Sequence, residues 1–113
     1  MKVSFDGIGE MVATFPATGD LKKCCVVKLD AGGQACACAD GDGFAGVSVN
    51  VRQGFAGVQI AGLAQVKCSG TVPGCGWVKL AADGAGGVKT AADGREYLVA
   101  AANAAAQTIV IRL

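Results

Sequence analysis

Val47-Ser48-Val49-Asn50-Val51-Arg52 alternates valine with polar residues over six positions. Successive side chains of a strand point to opposite faces. The pattern therefore predicts a strand with its valines on a dry face and Ser48, Asn50 and Arg52 on a wet one. Gln53-Gly54 follows as a turn. Gly54-Phe55-Ala56-Gly57-Val58 then repeats Gly43-Phe44-Ala45-Gly46-Val47, and the two copies read as the starts of successive strands. Glycines flanking an aromatic within strands point to bulges or to close backbone approach.

Working towards the N-terminus, Asp40-Gly41-Asp42-Gly43 and Asp30-Ala31-Gly32-Gly33 carry turn chemistry, because glycine takes positive φ freely. Strands are expected at 34–39 and 21–29, with a loop over 16–20. Two short strands are expected at 2–5 and 10–15, around Gly7-Ile8-Gly9, the second with Met11, Ala13 and Phe15 on one side. Towards the C-terminus, Val27-Lys28-Leu29, a glycine turn and Ala39-Asp40-Gly41 are echoed. The echo is Val78-Lys79-Leu80, Ala82-Asp83-Gly84, Gly86-Gly87 and Ala92-Asp93-Gly94. Either an internal duplication or chance matching in an alanine- and glycine-rich chain accounts for this. The alanines of 100–106 favour a helix, but β-prone Tyr97-Leu98-Val99 and Thr108-Ile109-Val110-Ile111 flank them. Asn103 suits a turn, so a hairpin is expected there, with a short helix as the alternative. Turn signals near every tenth residue make this an all-β protein. The expectation is a small single domain over 1–113, a barrel or sandwich built from short hairpins.

Composition agrees. Eighteen glycines disfavour a helical bundle. The net charge of +1 and the scatter of ten basic residues disfavour a nucleic-acid surface. No apolar run approaches a membrane span or a signal sequence, so a soluble protein made in the cytoplasm is expected, reaching any later location by assembly. With few large side chains for a core, self-association is the natural way to bury more surface.

The chain contains no histidine, which removes the commonest general base, the usual partner of a nucleophile and the commonest metal ligand. The turn aspartates read as backbone-bonding turn formers. Asp40-Gly41-Asp42 lacks the further spaced ligands of a calcium loop. Gly84-Ala85-Gly86-Gly87-Val88-Lys89-Thr90 misses phosphate-loop spacing because Val88 separates Gly87 from Lys89, so it is expected to be a hairpin turn. Lys28 and Lys79 fall within strands and not at a tip, unlike the lysine of a biotinyl or lipoyl carrier. The six cysteines lack C-x₂-C knuckles. Cys36 and Cys38 share a face if extended, and with Cys68 and Cys75 they are the only zinc candidates. Otherwise the cysteines serve as small hydrophobes. No catalytic residue and no cofactor is expected.

Several stretches occur in a familiar order: Gly9 to Phe15, Asp20-Leu21, Asp42 to Val47, Gly57 to Gly62, Val78-Lys79-Leu80 and Thr108 to Leu113. In this the chain resembles bacteriophage and prophage virion proteins of the capsid-cement, or head-decoration, type. The resemblance implies a β-barrel or β-tulip that binds the assembled capsid lattice and reinforces it, often as a trimer. It implies capsid or other virion proteins as partners and a virion location; charge and hydropathy lead to the expectation of neither nucleic acid nor membrane as a partner. The segment 1–8 is expected to contact a neighbour. Six cysteines depart from the pattern. A tail or baseplate role and a small cysteine-based binding module are the alternatives.

Overall fold

The computed structural model of the protein describes residues 11–19 and 21–113. The strand expected at 2–5, the turn at Gly7-Ile8-Gly9 and the contact segment 1–8 lie outside the described residues. The described chain is all-β, with ten strands in two antiparallel five-stranded sheets. The first half of the chain contributes β1 (Met11–Pro16), β2 (Val26–Leu29), β3 (Ala35–Ala37), β4 (Gly46–Arg52) and β5 (Phe55–Ala61), in the spatial order β1-β5-β4-β2-β3. The second contributes β6 (Leu63–Lys67), β7 (Gly76–Ala82), β8 (Val88–Thr90), β9 (Arg95–Asn103) and β10 (Thr108–Arg112), in the order β6-β10-β9-β7-β8.

The second order is the first with five added to every strand number, so the two halves repeat one topology. The repeat extends to register. The β2–β3 pairs Val27↔Ala37, Lys28↔Cys36 and Leu29↔Ala35 become Leu80↔Thr90, Ala81↔Lys89 and Ala82↔Val88 in β7–β8 when 53 is added to each number. Turn chemistry repeats too. Asp30 Oδ1 accepts from the N–H groups of Gly32 and Gln34, both at 2.9 Å. Asp83 Oδ1 accepts from Ala85 and Gly87, two and four residues on, at 2.7 and 3.0 Å. Each sheet curls so that its edge strands meet at one parallel bridge, Ala17↔Ala35 in the first and Cys68↔Val88 in the second. Neither closes into a barrel. The echo of Ala39-Asp40-Gly41 in Ala92-Asp93-Gly94 therefore marks a structural duplication, whereas Val78-Lys79-Leu80 is not the counterpart of Val27-Lys28-Leu29, because the register puts Leu80 in the place of Val27.

The cores follow from this arrangement. Leu21, Val27, Ala35, Ala56 and Val58 fill the first half. Val66, Leu80, Val88, Tyr97, Val99, Ile109 and Ile111 fill the second, and Val26, Cys38, Phe44 and Val47 of the first half join them. Val26 and Val27 are neighbours on β2, so one faces each core. Phe44 stacks on Tyr97, with centroids 4.9 Å apart and planes 7° from parallel. The turn at 39–42 docks on β7. Gly41 N–H donates to Ala82 O at 2.8 Å, Ala82 N–H donates to Asp42 O at 2.9 Å, and Lys89 pairs with Asp40 at 2.7 Å.

Several expectations need correction. β4 does not keep its valines on one face. A bulge at Val49 inserts one residue between Ser48 and Asn50, so Val47 turns to the second half and Val51 to the first-half core. Ser48 is buried as a result, and it holds the segment before β2. Its hydroxyl donates to Lys22 O at 2.6 Å and accepts from Cys25 N–H at 3.1 Å, while its carbonyl accepts from Cys24 N–H at 2.6 Å. That clamp makes 21–25 a turn and not a strand, with Cys24 at φ 62°. The strand expected at 34–39 shortens to Ala35–Ala37. Met11 is 58% exposed because the β1–β5 register slips between Met11 and Val12. The Gly-Phe-Ala-Gly-Val copies are not equivalent, since Phe44 is buried and Phe55 is exposed. The Gln53-Gly54 turn has positive φ at both residues, as a two-residue hairpin with right-twisting strands requires. The alanine run closes a hairpin as expected. β9 ends at Asn103, whose Oδ1 accepts from Ala106 N–H at 3.1 Å.

Asp83 also carries a pH dependence. Burial acts to raise its carboxyl, but the hydroxyl of Ser69 and the N–H groups of Ala85 and Gly87 outweigh that and hold it below the ordinary 3.8. A carboxyl lowered by folding adds stability above its unfolded value, and that stability is lost as pH falls through the folded one. Denaturation midpoints should therefore hold at neutral pH and fall below about pH 4. Asp83→Asn should lower the neutral plateau and flatten the acid limb; an unchanged acid limb would assign the dependence elsewhere.

Candidate functional site

The zinc candidates do not form a site. Among the described residues, no group of three or more Cys, Asp or Glu side chains is placed to hold a metal ion. Cys36 lies on β3, half-buried, with its Sγ towards Lys28 O at 3.6 Å. Cys38 and Cys68 are buried in the second core, and Cys75 is exposed before β7, with its Sγ 3.7 Å from Ala100 O. Packing explains the two buried thiols. Desolvation pushes Cys38 up to about 11, with the Asp42 carboxylate adding to it, and burial raises Cys68 as well. Because the thiolate is the reactive form, a native-state thiol titration followed by peptide mass spectrometry should find Cys24 and Cys75 modified first. Cys38 and Cys68 should react only on unfolding. Fast labelling of Cys38 would contradict its place in the core.

The loop aspartates are likewise engaged. Asp42 accepts from Lys28 Nζ at 2.6 Å and from Ala39 N–H at 2.9 Å, and the lysine contact first, then the backbone bond, hold its carboxyl below the usual range. Asp40 pairs with Lys89. These carboxylates tie the turn to its surroundings, and Gly84 to Thr90 forms the β7–β8 hairpin, as its spacing predicted.

The surface offers a different feature. Trp77, the chain's one tryptophan, is 63% exposed on the outer face of β7. With Lys79, Thr90, Ala91 and Ala92 it lines a shallow concavity of about 390 Å³. Trp77 pairs with Leu98 and Lys79 with Glu96 on β9, so an apolar pair and a charged pair lie side by side. Phe55, Met11 and Val12 are also exposed, on β5 and the edge strand β1. A large apolar side chain left in water forgoes about 1.5–3 kcal/mol of burial, which makes such positions candidates for contact surfaces. The alternation of Trp77-Val78-Lys79-Leu80 already places Trp77 and Lys79 on one face. Which face is covered depends on how the halves pack, and no local pattern encodes that.

No known protein-family model matches the chain, and no curated protein matches it at a significant level.

Proposed function

We propose that the protein is a non-catalytic structural component of a bacteriophage or prophage virion, one that binds the capsid lattice, stabilises it and self-associates there. The observation that carries this reading is the set of exposed large apolar side chains, Trp77, Phe55, Met11 and Val12, on a small β scaffold. The order of its glycine-valine motifs, which resembles that of capsid-cement proteins, adds to it. A protein that occupies many equivalent lattice positions needs only modest affinity per copy when contacts between copies act together. Such a protein is made in the host cytoplasm and ends in the particle.

The test is composition of particles. Virions purified by density gradient from an induced host should contain the chain in fixed proportion to the major coat protein. Particles from a deletion strain should break open at lower temperature. Absence from gradient-purified particles would sink the reading. Recovery with detached tails alone would favour a tail or baseplate role.

A further inference from the structure

The duplication allows the contact between the halves to be used as a template. The first half docks through the outer face that carries Val26 and Cys38, with Val47 beside Val26 on β4. It lands on the β7–β8 hairpin of the second half. There Val26 N–H donates to Gly86 O at 3.0 Å, Gly41 N–H donates to Ala82 O, Asp40 meets Lys89, and Cys25 Sγ lies against Gly86. One unit's outer face thus meets the other unit's hairpin. The two contact surfaces differ, so the packing is head to tail.

A head-to-tail contact between two equivalent units leaves one surface of each kind unused. Adding 53 to Cys24, Val26, Cys38 and Ala39 gives Trp77, Lys79, Ala91 and Ala92, the lining of the concavity. Among the described residues nothing covers the docking face of the second half, and it carries Trp77, the most exposed of their large apolar side chains. Subtracting 53 from Ala82, Gly86 and Lys89 gives Leu29, Gly33 and Cys36 on the β2–β3 hairpin, where Leu29 is 41% exposed. Among the described residues the receiving hairpin of the first half is uncovered as well.

We infer that the protein associates with a second copy of itself, the β2–β3 hairpin around Leu29 seating on the Trp77–Lys79 face of the next chain. The occupant follows from continuity with the contact inside the chain. Several differences set its strength: Lys79 stands where the first half has Val26, and Cys36 stands where the second half has Lys89, so the Asp40–Lys89 pair has no counterpart. The segment 42–45, which supplies Phe44 to the internal contact, has no counterpart after Gly94, because β9 begins at once at Arg95. Trp77 stands where the first half has Cys24, offering apolar area in place of that anchor. The contact between chains should accordingly be weaker than the internal one and depend on concentration. Repetition of a head-to-tail contact closes a ring when the rotation permits, and a cyclic trimer is one such ring. This names the surface for the self-association in the proposed function and holds whether or not a capsid is the partner.

The test uses purified full-length protein under reducing conditions. By light scattering, the mass should rise above the 11.1 kDa of one chain as concentration increases. Leu29→Asp and Trp77→Ala, both at exposed positions, should each remain one chain in mass, with circular dichroism unchanged. Mixed in equal amounts, they should form a two-chain species and nothing larger, since each retains the surface the other lacks. Only the Leu29→Asp copy then contains tryptophan, so its emission should shift to the blue on mixing. A wild type that stays at one chain throughout, or a mixture that neither gains mass nor shifts its emission, would overturn the inference. Particle composition tests the virion reading separately.

Discussion

Phe44→Ala is expected to lower the unfolding free energy by about 3–5 kcal/mol, the usual cost of emptying a buried phenylalanine site. The ring is 6% exposed and lies flat on Tyr97, which carries the Arg95 guanidinium 5.2 Å from its ring centre. Phe44 comes from the loop before β4 and Tyr97 from β9, so truncation empties the contact between the halves. Small domains have only about 5–15 kcal/mol in total, so the loss should move the urea midpoint far. The matched control is Phe55→Ala. Phe55 holds the same place in the second Gly-Phe-Ala-Gly-Val copy but is 56% exposed, and its loss should stay within about 0.5 kcal/mol. Equal losses for the two variants would contradict the burial pattern. Two separate transitions in Phe44→Ala would show that the ring couples the halves.

That pair of phenylalanines also shows how much the sequence conveys. Local chemistry was legible. Glycine- and aspartate-rich turns at 30–33, 40–43 and 83–87 fall where their residues demand, and the alanine run yields to the turn preference of Asn103. The duplication was legible only in part: Ala39-Asp40-Gly41 and Ala92-Asp93-Gly94 hold equivalent places, but Val27-Lys28-Leu29 and Val78-Lys79-Leu80 do not, so the repeated tripeptides alone did not separate duplication from chance. What escaped depends on contacts between distant residues. The Val49 bulge reverses the face of Val47 relative to Val51, and a strictly alternating string contains no sign of an extra residue. The turn at Cys24 exists because Ser48, far along the chain, holds it. For the same reason, four cysteines that pattern reasoning set together are dispersed, two into the core, one onto β3 and one onto the surface. Trp77 was visible as a residue but not as a surface, since its exposure depends on how the two halves pack.

Gly46→Ala tests the most confined backbone position in the same pentapeptide. A Cβ built at Gly46 lands on the carbonyl oxygen of Gln59 and lies 2.8 Å from Val58 Cγ1. The obstacle is backbone of the neighbouring strand and not the flexible end of a side chain. β5 is held on both sides, by β1 and by β4, so it has little freedom to withdraw. Gln59 is itself fixed, because its Nε2 donates to Ala61 O at 3.1 Å and to Leu63 O at 3.0 Å across the crossover between the sheets. Displacing it would pull on both halves at once. Ordinary overpacking costs about 1–3 kcal/mol, and a collision with paired backbone should reach or exceed the top of that range. Gly43→Ala, three residues earlier, meets nothing within 4 Å and has no positive φ. There a Cβ only restricts the unfolded chain, which stabilises by about 0.4–1 kcal/mol. Thermal and urea denaturation of the two variants should therefore move in opposite directions. If Gly46→Ala unfolds at the wild-type midpoint, β4 and β5 do not approach as closely as the register Val47↔Gln59 requires, and the bulge that turns Val47 towards the second half would have to be placed elsewhere on the strand.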